Sequence, residues 1–298
     1  KENLEEANQI CIKLFNEREK RVRPATDKKI LVSWNSLAIE GMINAYKASG
    51  NRDYYESAKK SFTFIKNNMY KKNKLYACYH DREYFSAYLD DYAFLSKSCL
   101  ELLKVEWDDN NFSFLIKLVD TLINDFQDLK NGGFYFTPKD HEKLIYRPKS
   151  YMDESLPSGN SVAIDILMEV YELTGESKYL SAVENALKSA HDSLTRSSFS
   201  HCSLLLAAPR TEFSKRLIII RCDKKDLKLN QDLINKTDVI NDNIYFIANN
   251  EEISVKSLSD KISKGAFTAY ICQDNVCSAP IESIDEFIEF LISSILST

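Results

Sequence analysis

The chain has 298 residues, 44% of them hydrophobic, enough for one large domain or two smaller ones with packed cores. Its net charge of −5 gives no general attraction to nucleic acid, and the basic cluster REKRVRP, from Arg18 to Pro24, is too short to outweigh it. No apolar run approaches the ~20 residues of a bilayer span, and the opening KENLEEANQICIKLF lacks a signal peptide's apolar stretch, so a membrane protein is not expected and the chain reads as cytoplasmic.

Leu4, Ala7, Cys11 and Leu14 share one face of an N-terminal helix, followed by a loop from Arg18 to Ser33. That helix reads as the second half of a hairpin whose first half is absent, so the architecture is expected to be incomplete at its N-terminus. From Asn35 the segment NSLAIEGMINAYKASGNRDYYESA aligns without gaps to NSVAIDILMEVYELTGESKYLSAV from Asn160, placing Tyr46 on Tyr171 and Gly50 on Gly175. Each copy is an apolar helical run, a Gly stop and a second helical run, which is an αα-hairpin repeat. A weaker copy starts at Asp91, where Asp108 to Asn111 replace the Gly turn and Phe112, Leu115, Val119, Leu122 and Phe126 repeat the rhythm of Tyr55, Ala58, Phe62, Ile65 and Met69.

Strand pairs are expected between the hairpins, in KLYACYHDREYFSAY with a turn near His80 to Arg82 and in GGFYFTPKDHEKLIYRPK with a turn near Lys139 to His141. After Ala208 and Pro209, the segments KRLIIIRCD, DNIYFIAN and AFTAYICQ read as strands, with helices near Asp226 to Ile234 and Ile284 to Leu296. The expected organisation is an α/α-barrel portion over 1–208 and a small α/β region over 209–298. Seven cysteines, an odd number without a dense framework, fit a reducing compartment; Cys11 and Cys99 sit at apolar helical positions and are expected in the core. Cys272 and Cys277 have four residues between them rather than the two of a thioredoxin-like motif, and a structural or incidental role is favoured over a redox couple.

The blocks RVRPATDKKILVSWNSLAI, LDDYAFL, NGGFYFT, RPKSYMDESLPSGNSVAI with LTGESKYL, and AFTAYICQDNVCSAP occur in the order found in a family this chain resembles. It is similar to the helical and C-terminal part of the YyaL-type, spermatogenesis-associated thioredoxin-domain proteins. The resemblance implies a mainly α fold, an (α/α)6 toroid of the six-hairpin glycosidase and N-acylglucosamine 2-epimerase type, here without the thioredoxin-like domain and the earliest hairpins. It also implies a thioredoxin-like domain or chain as a partner.

In such a toroid the long connections share a rim with the N-termini of the inner helices, where free N–H groups and partial positive charge collect. Asn35, Asp91 and Asn160 head the three inner helices and are expected as N-caps that also line a cavity. Asp27, Asp81, Asp90, Asp91, Asp153 and Glu154 fall on the same rim, and glycosidic hydrolysis needs two carboxyls, one protonated and one ionised. Asp91 and Asp153 are the expected catalytic pair, against the bland reading that they bridge to Arg23, Lys28, Arg147 or Lys149. Arg23, Asp27, Lys28, Trp34, Asn35, His80, Asp90, Tyr92, Arg147, Lys149, Ser158 and Asn160 are the expected substrate-binding residues, for a sugar or sugar phosphate. The four histidines lie outside the strong blocks, which weakens an epimerase, and no metal-ligand spacing occurs, so no metal or cofactor is expected. Two functions follow from this reading: a glycosidase- or epimerase-like enzyme, or a non-catalytic binding module serving the thioredoxin-like partner.

Overall fold

A computed structural model describes residues 2–143, 145–211, 215–237, 242–273 and 276–296. The chain forms two compact units, Lys1–Ile30 and Leu31–Thr298. The first is helix α1 (Glu2–Glu19) and the loop after it, where Lys20 pairs with Glu17 at 2.5 Å and Arg23 pairs with Glu19. Cys11, expected in a core, is exposed on α1.

The second unit carries the three hairpins. They are α2 (Val32–Ser49) with α3 (Arg52–Asn68), α4 (Leu89–Val105) with α5 (Asp109–Thr121), and α6 (Gly159–Thr174) with α7 (Ser177–Arg196). Gly50 and Gly175 end α2 and α6 at φ +70° and +72°, a left-handed conformation that costs a residue without Cβ nothing, and their N–H groups bond Tyr46 O and Tyr171 O. The middle hairpin has no Gly; Asp108 instead caps α5 by accepting from Asn111 N at 2.9 Å. The helix α4 packs against α2, α5 and α6 and is buried nearly all round, while α3, α5 and α7 bury one face each. The face of α3 is Tyr55, Ala58, Phe62 and Ile65, as its spacing predicts. Past Thr121, α5 runs into a π-helical turn, Leu122–Phe126, which sends Leu122 and Phe126 into the core.

Strands β1 (Tyr70–Lys71), β2 (Lys74–His80) and β3 (Arg82–Ser86) follow α3, β2 pairing antiparallel with both neighbours. Among the described residues the second expected strand pair does not form. Between 131 and 150 the chain keeps an isolated bridge, Gln127 to Phe134, and a bond from Phe136 N to Pro148 O at 2.8 Å. Gly132 and Gly133 turn at φ +76° and +75°, and Pro138 and Pro148 supply no N–H, so a regular ladder cannot propagate.

After the short α8 (Cys202–Ala207) come β4 (Leu217–Cys222), α9 (Leu227–Ile234), β5 (Asn243–Ala248), α10 (Lys256–Ser259), β6 (Phe267–Gln273), β7 (Val276–Cys277) and α11 (Ile284–Leu296). The strands lie in the order β5-β4-β6-β7, with β4 and β5 parallel and the other pairs antiparallel. Ile218, Ile220, Phe246, Phe267, Phe287 and Leu291 build the core of this region. It docks on the C-terminal ends of the inner helices: Trp107 N donates to Phe246 O at 3.2 Å, and Tyr245 Oη donates to Glu169 Oε1 at 2.6 Å.

Candidate functional site

At the opposite end, the starts of α4 and α6 stand beside each other, flanked by Phe136 and by residues of the stretch 148–157. A cavity of about 420 Å³ lies there, within the size range of small-ligand sites. Asp90, Phe136, Met152, Glu154, Ser158 and Asn160 are among the residues that line it.

The start of α4 is fixed from two sides, by Ala87 N bonding Leu75 O at 3.0 Å and Leu89 N bonding Phe136 O at 3.0 Å. Tyr88 is extended there, at φ −97° and ψ 175°, so its N–H faces back and donates to Asp91 Oδ2 at 2.9 Å. The other oxygen of Asp91 accepts from Ser33 N at 3.0 Å, at the start of α2. Asp91 is therefore a buried tie between two inner helices. Burial pushes its carboxyl up to about 6, against the pull of the Tyr88 and Ser33 N–H groups.

Asp90 is different. Its carboxyl has no hydrogen bond or ion pair among the described residues, and it stands against the first residue of α6. A Cβ on Gly159 would meet Asp90 Oδ1 at 2.1 Å, so a larger residue there would displace that carboxyl. Burial pushes the Asp90 carboxyl up to about 6, with the negative charges of Asp91 and Glu154 adding to the effect. Glu154, across the cavity on the loop, is exposed. The walls between them are apolar: Phe136, stacked on Tyr88 at 4.9 Å with an interplanar angle of 11°, and Met152, Leu156, Pro148 and Pro157.

Of the residues expected from the sequence, Asp90, Ser158 and Asn160 come together here. None of Asn35, Asp91 and Asn160 is an N-cap, because α2, α4 and α6 begin earlier and are preceded by Leu31, Tyr88 and Ser158. Asn160 instead locks the loop, accepting from Phe134 N at 2.7 Å and donating to Phe134 O at 2.8 Å and Ser150 O at 2.9 Å. Asn35 donates back to Leu31 O at 2.8 Å. Asp153 spends both oxygens on backbone, Oδ1 on Ser158 N at 2.9 Å and Oδ2 on Ser203 N at 2.8 Å. Burial would raise its carboxyl, but those N–H bonds outweigh it and hold Asp153 below the usual range.

The basic residues of the same block do not reach these acids. Arg147 lies over the Tyr135 ring at 4.1 Å and donates to Thr137, and Lys149 donates to Asp128 Oδ2 at 2.9 Å and Gly132 O at 2.7 Å. Tyr92 is core, its hydroxyl accepting from Leu75 N at 3.1 Å, whereas Trp34 and His80 are exposed. Arg23, Asp27 and Lys28 belong to the first unit, where Arg23 pairs with Glu19, Asp27 pairs with Lys29 at 3.2 Å, and Lys28 is exposed. The apolar wall of Phe136 and Met152 carried no signal of its own in the sequence. Glu154 did, as the second carboxylate of the MDES stretch.

A larger cavity of about 500 Å³ lies at the C-terminal ends of α2 and α4. Its cations are tied to carboxylates: Lys47 to Glu101 at 2.6 Å, Lys97 to Asp165 at 2.7 Å and Lys104 to Glu169 at 2.8 Å. These pairs hold α2, α4 and α6 together and neutralise helix C-termini, a structural task. Among the described residues, no helix is long and apolar enough to cross a membrane.

Comparison with known proteins places this geometry in context. No protein-family model matches the chain. An uncharacterized protein of Caenorhabditis elegans is 25% identical over 307 residues, covering 97% of this chain and 41% of the relative. Human spermatogenesis-associated protein 20 is 24% identical over 294 residues, covering 90% of this chain and 37% of the relative. The chain thus spans about two fifths of the relatives it matches, and its relation to them is distant. Among solved structures, a GH76 α-mannanase of Bacteroides thetaiotaomicron superimposes with a TM-score of 0.52 at 16% identity, covering 71% of this chain and 59% of that one. The fold is therefore mainly α-helical and six-hairpin-glycosidase-like, with small β-sheet regions.

Proposed function

We propose that the chain is a carbohydrate-active enzyme of glycosidase type, working in the rim cavity with Asp90 as its general acid. The observation that carries this reading is the Asp90 carboxyl, unpaired, raised to about 6 and facing a cavity of about 420 Å³. A carboxyl still protonated near pH 6 can donate its proton to a leaving glycosidic oxygen. Glu154 is the partner carboxylate, acting on water or on the anomeric carbon according to the separation the bound sugar requires. Asp91, held on Tyr88 N and Ser33 N, assists without touching substrate, by anchoring the start of α4 that carries Asp90.

The lining favours a neutral sugar over a sugar phosphate. Among the described residues it offers two carboxyls, no Lys or Arg, and the Phe136 ring as a surface for an apolar sugar face. Nor does a histidine stand among the described lining residues for the two-way proton transfer of an epimerase. The test is release of reducing ends or nitrophenol from neutral oligosaccharides and aryl glycosides between pH 5 and 6. Turnover should fall by about 100-fold or more in Asp90→Asn and in Glu154→Gln. Turnover equal to wild type in both variants would remove the assignment. Sugar binding without any turnover would leave a binding module in its place.

A further inference from the structure

We infer that Cys272 and Cys277 form an exchangeable disulfide whose reactant is a dithiol. They are joined in a bond that links residues directly opposite each other on β6 and β7. Cys11, Cys78, Cys99, Cys202 and Cys222 are free thiols, three of them buried, so this pair is not one staple among many. Strand β7 has two residues and lies at the edge of the sheet, with Val276, Cys277 and Ser278 all exposed. Cys277 is thus open to an incoming thiolate, while Cys272, 6% exposed, faces inward.

The bond also has little to hold. It closes a loop with a sequence separation of five, which restricts the unfolded chain far less than a long-range bridge does. Neither cysteine belongs to the cluster of Ile218, Ile220, Phe246, Phe267, Phe287 and Leu291 that forms the core of this region. Ser278 N bonds Ile271 O at 2.9 Å, a backbone tie to β6 that does not depend on the disulfide.

The exchange runs in two displacements. A thiolate of the dithiol attacks Cys277 Sγ, the S–S bond breaks, and its electron pair leaves on Cys272 Sγ, which takes up a proton. The second thiol of the reactant then attacks the mixed disulfide and expels Cys277 as a thiolate that is protonated in turn. Two electrons and two protons pass from the dithiol to the cysteine pair, and the reactant becomes a disulfide. An oxidised dithiol reverses both steps.

The experiment is maleimide labelling of the folded protein after incubation with dithiothreitol, with labelled sites mapped by mass spectrometry. Two additional labels, at Cys272 and Cys277, are expected with unchanged far-ultraviolet circular dichroism, and oxidised dithiothreitol should remove both. The double variant Cys272→Ser/Cys277→Ser should fold and gain no label. The inference is overturned if the pair labels only in denaturant, if oxidised dithiothreitol cannot rejoin it, or if the double variant fails to fold.

Discussion

Replacing Asp90 with Asn should stabilise the protein while abolishing its turnover. In the unfolded chain the carboxyl titrates near its ordinary value of 3.8, and in the fold burial beside Asp91 and Glu154 raises it to about 6. The folded state then holds the proton more tightly than the unfolded one, so stability declines as pH rises from about 3.8 to about 6 and stays lowered above that. At about 1.4 kcal/mol per pH unit, the cost of the ionised form is about 3 kcal/mol. A gain of up to about 3 kcal/mol is therefore expected for the uncharged isostere at pH 8. Urea denaturation of both proteins at pH 4, 6 and 8 measures it: the curves should nearly coincide at pH 4 and separate by pH 8. An Asn variant that is less stable at pH 8, or equally displaced at every pH, would refute the reasoning.

Asn160→Ala should lower stability by about 3 kcal/mol in urea denaturation, because it strips partners from the buried backbone of Phe134 and from Ser150 O. Asp153→Asn should cost about 1–2 kcal/mol at pH 7, since one of two accepted N–H bonds is lost. The depressed carboxyl of Asp153 adds stability above about pH 3.8 that disappears as pH falls through its lowered folded value, so the variant and wild type should converge in acid. Its turnover should remain within a few-fold of wild type, in contrast to Asp90→Asn. Gly159→Ala should lower the melting midpoint only modestly, because the closest atom is the movable tip of the Asp90 side chain and the buried Leu89 Cγ, at 3.1 Å, has to give by a few tenths of an ångström. Displacing that carboxyl should still reduce hydrolysis by about 10-fold or more, as a small misplacement of a reacting group does.

The hairpins were legible because local chemistry and packing agree in them: Gly50 and Gly175 stop helices where the apolar rhythm breaks, and Phe62, Ile65, Phe112 and Leu115 are buried as their spacing predicts. Strands β4, β5 and β6 and helices α9 and α11 were legible from their apolar runs, whereas the short α10 and the two-residue β7 carry too few residues to show a period. The loop from Gly132 to Ser150 was misread as a strand pair because its aromatic residues resemble strand while its backbone turns at two glycines. The proposed site follows from the rim expected in the sequence but not from the pair of residues expected there. Asp90 and Asp91 are adjacent on one helical turn and point about 100° apart, so the direction of Tyr88 decides which faces the cavity. Asp153 and Glu154 are separated in the same way, the first turned to the N–H groups of Ser158 and Ser203 and the second lining the cavity.

The most direct measurement of the central claim is a carbon-13 titration of the aspartate carboxyls, with the Asp90 signal assigned by its disappearance in Asp90→Asn. The account predicts that this signal titrates with a midpoint at about 6. A midpoint at the ordinary value of 3.8 would leave Asp90 ionised wherever the protein is folded and active, and would contradict its role as an acid.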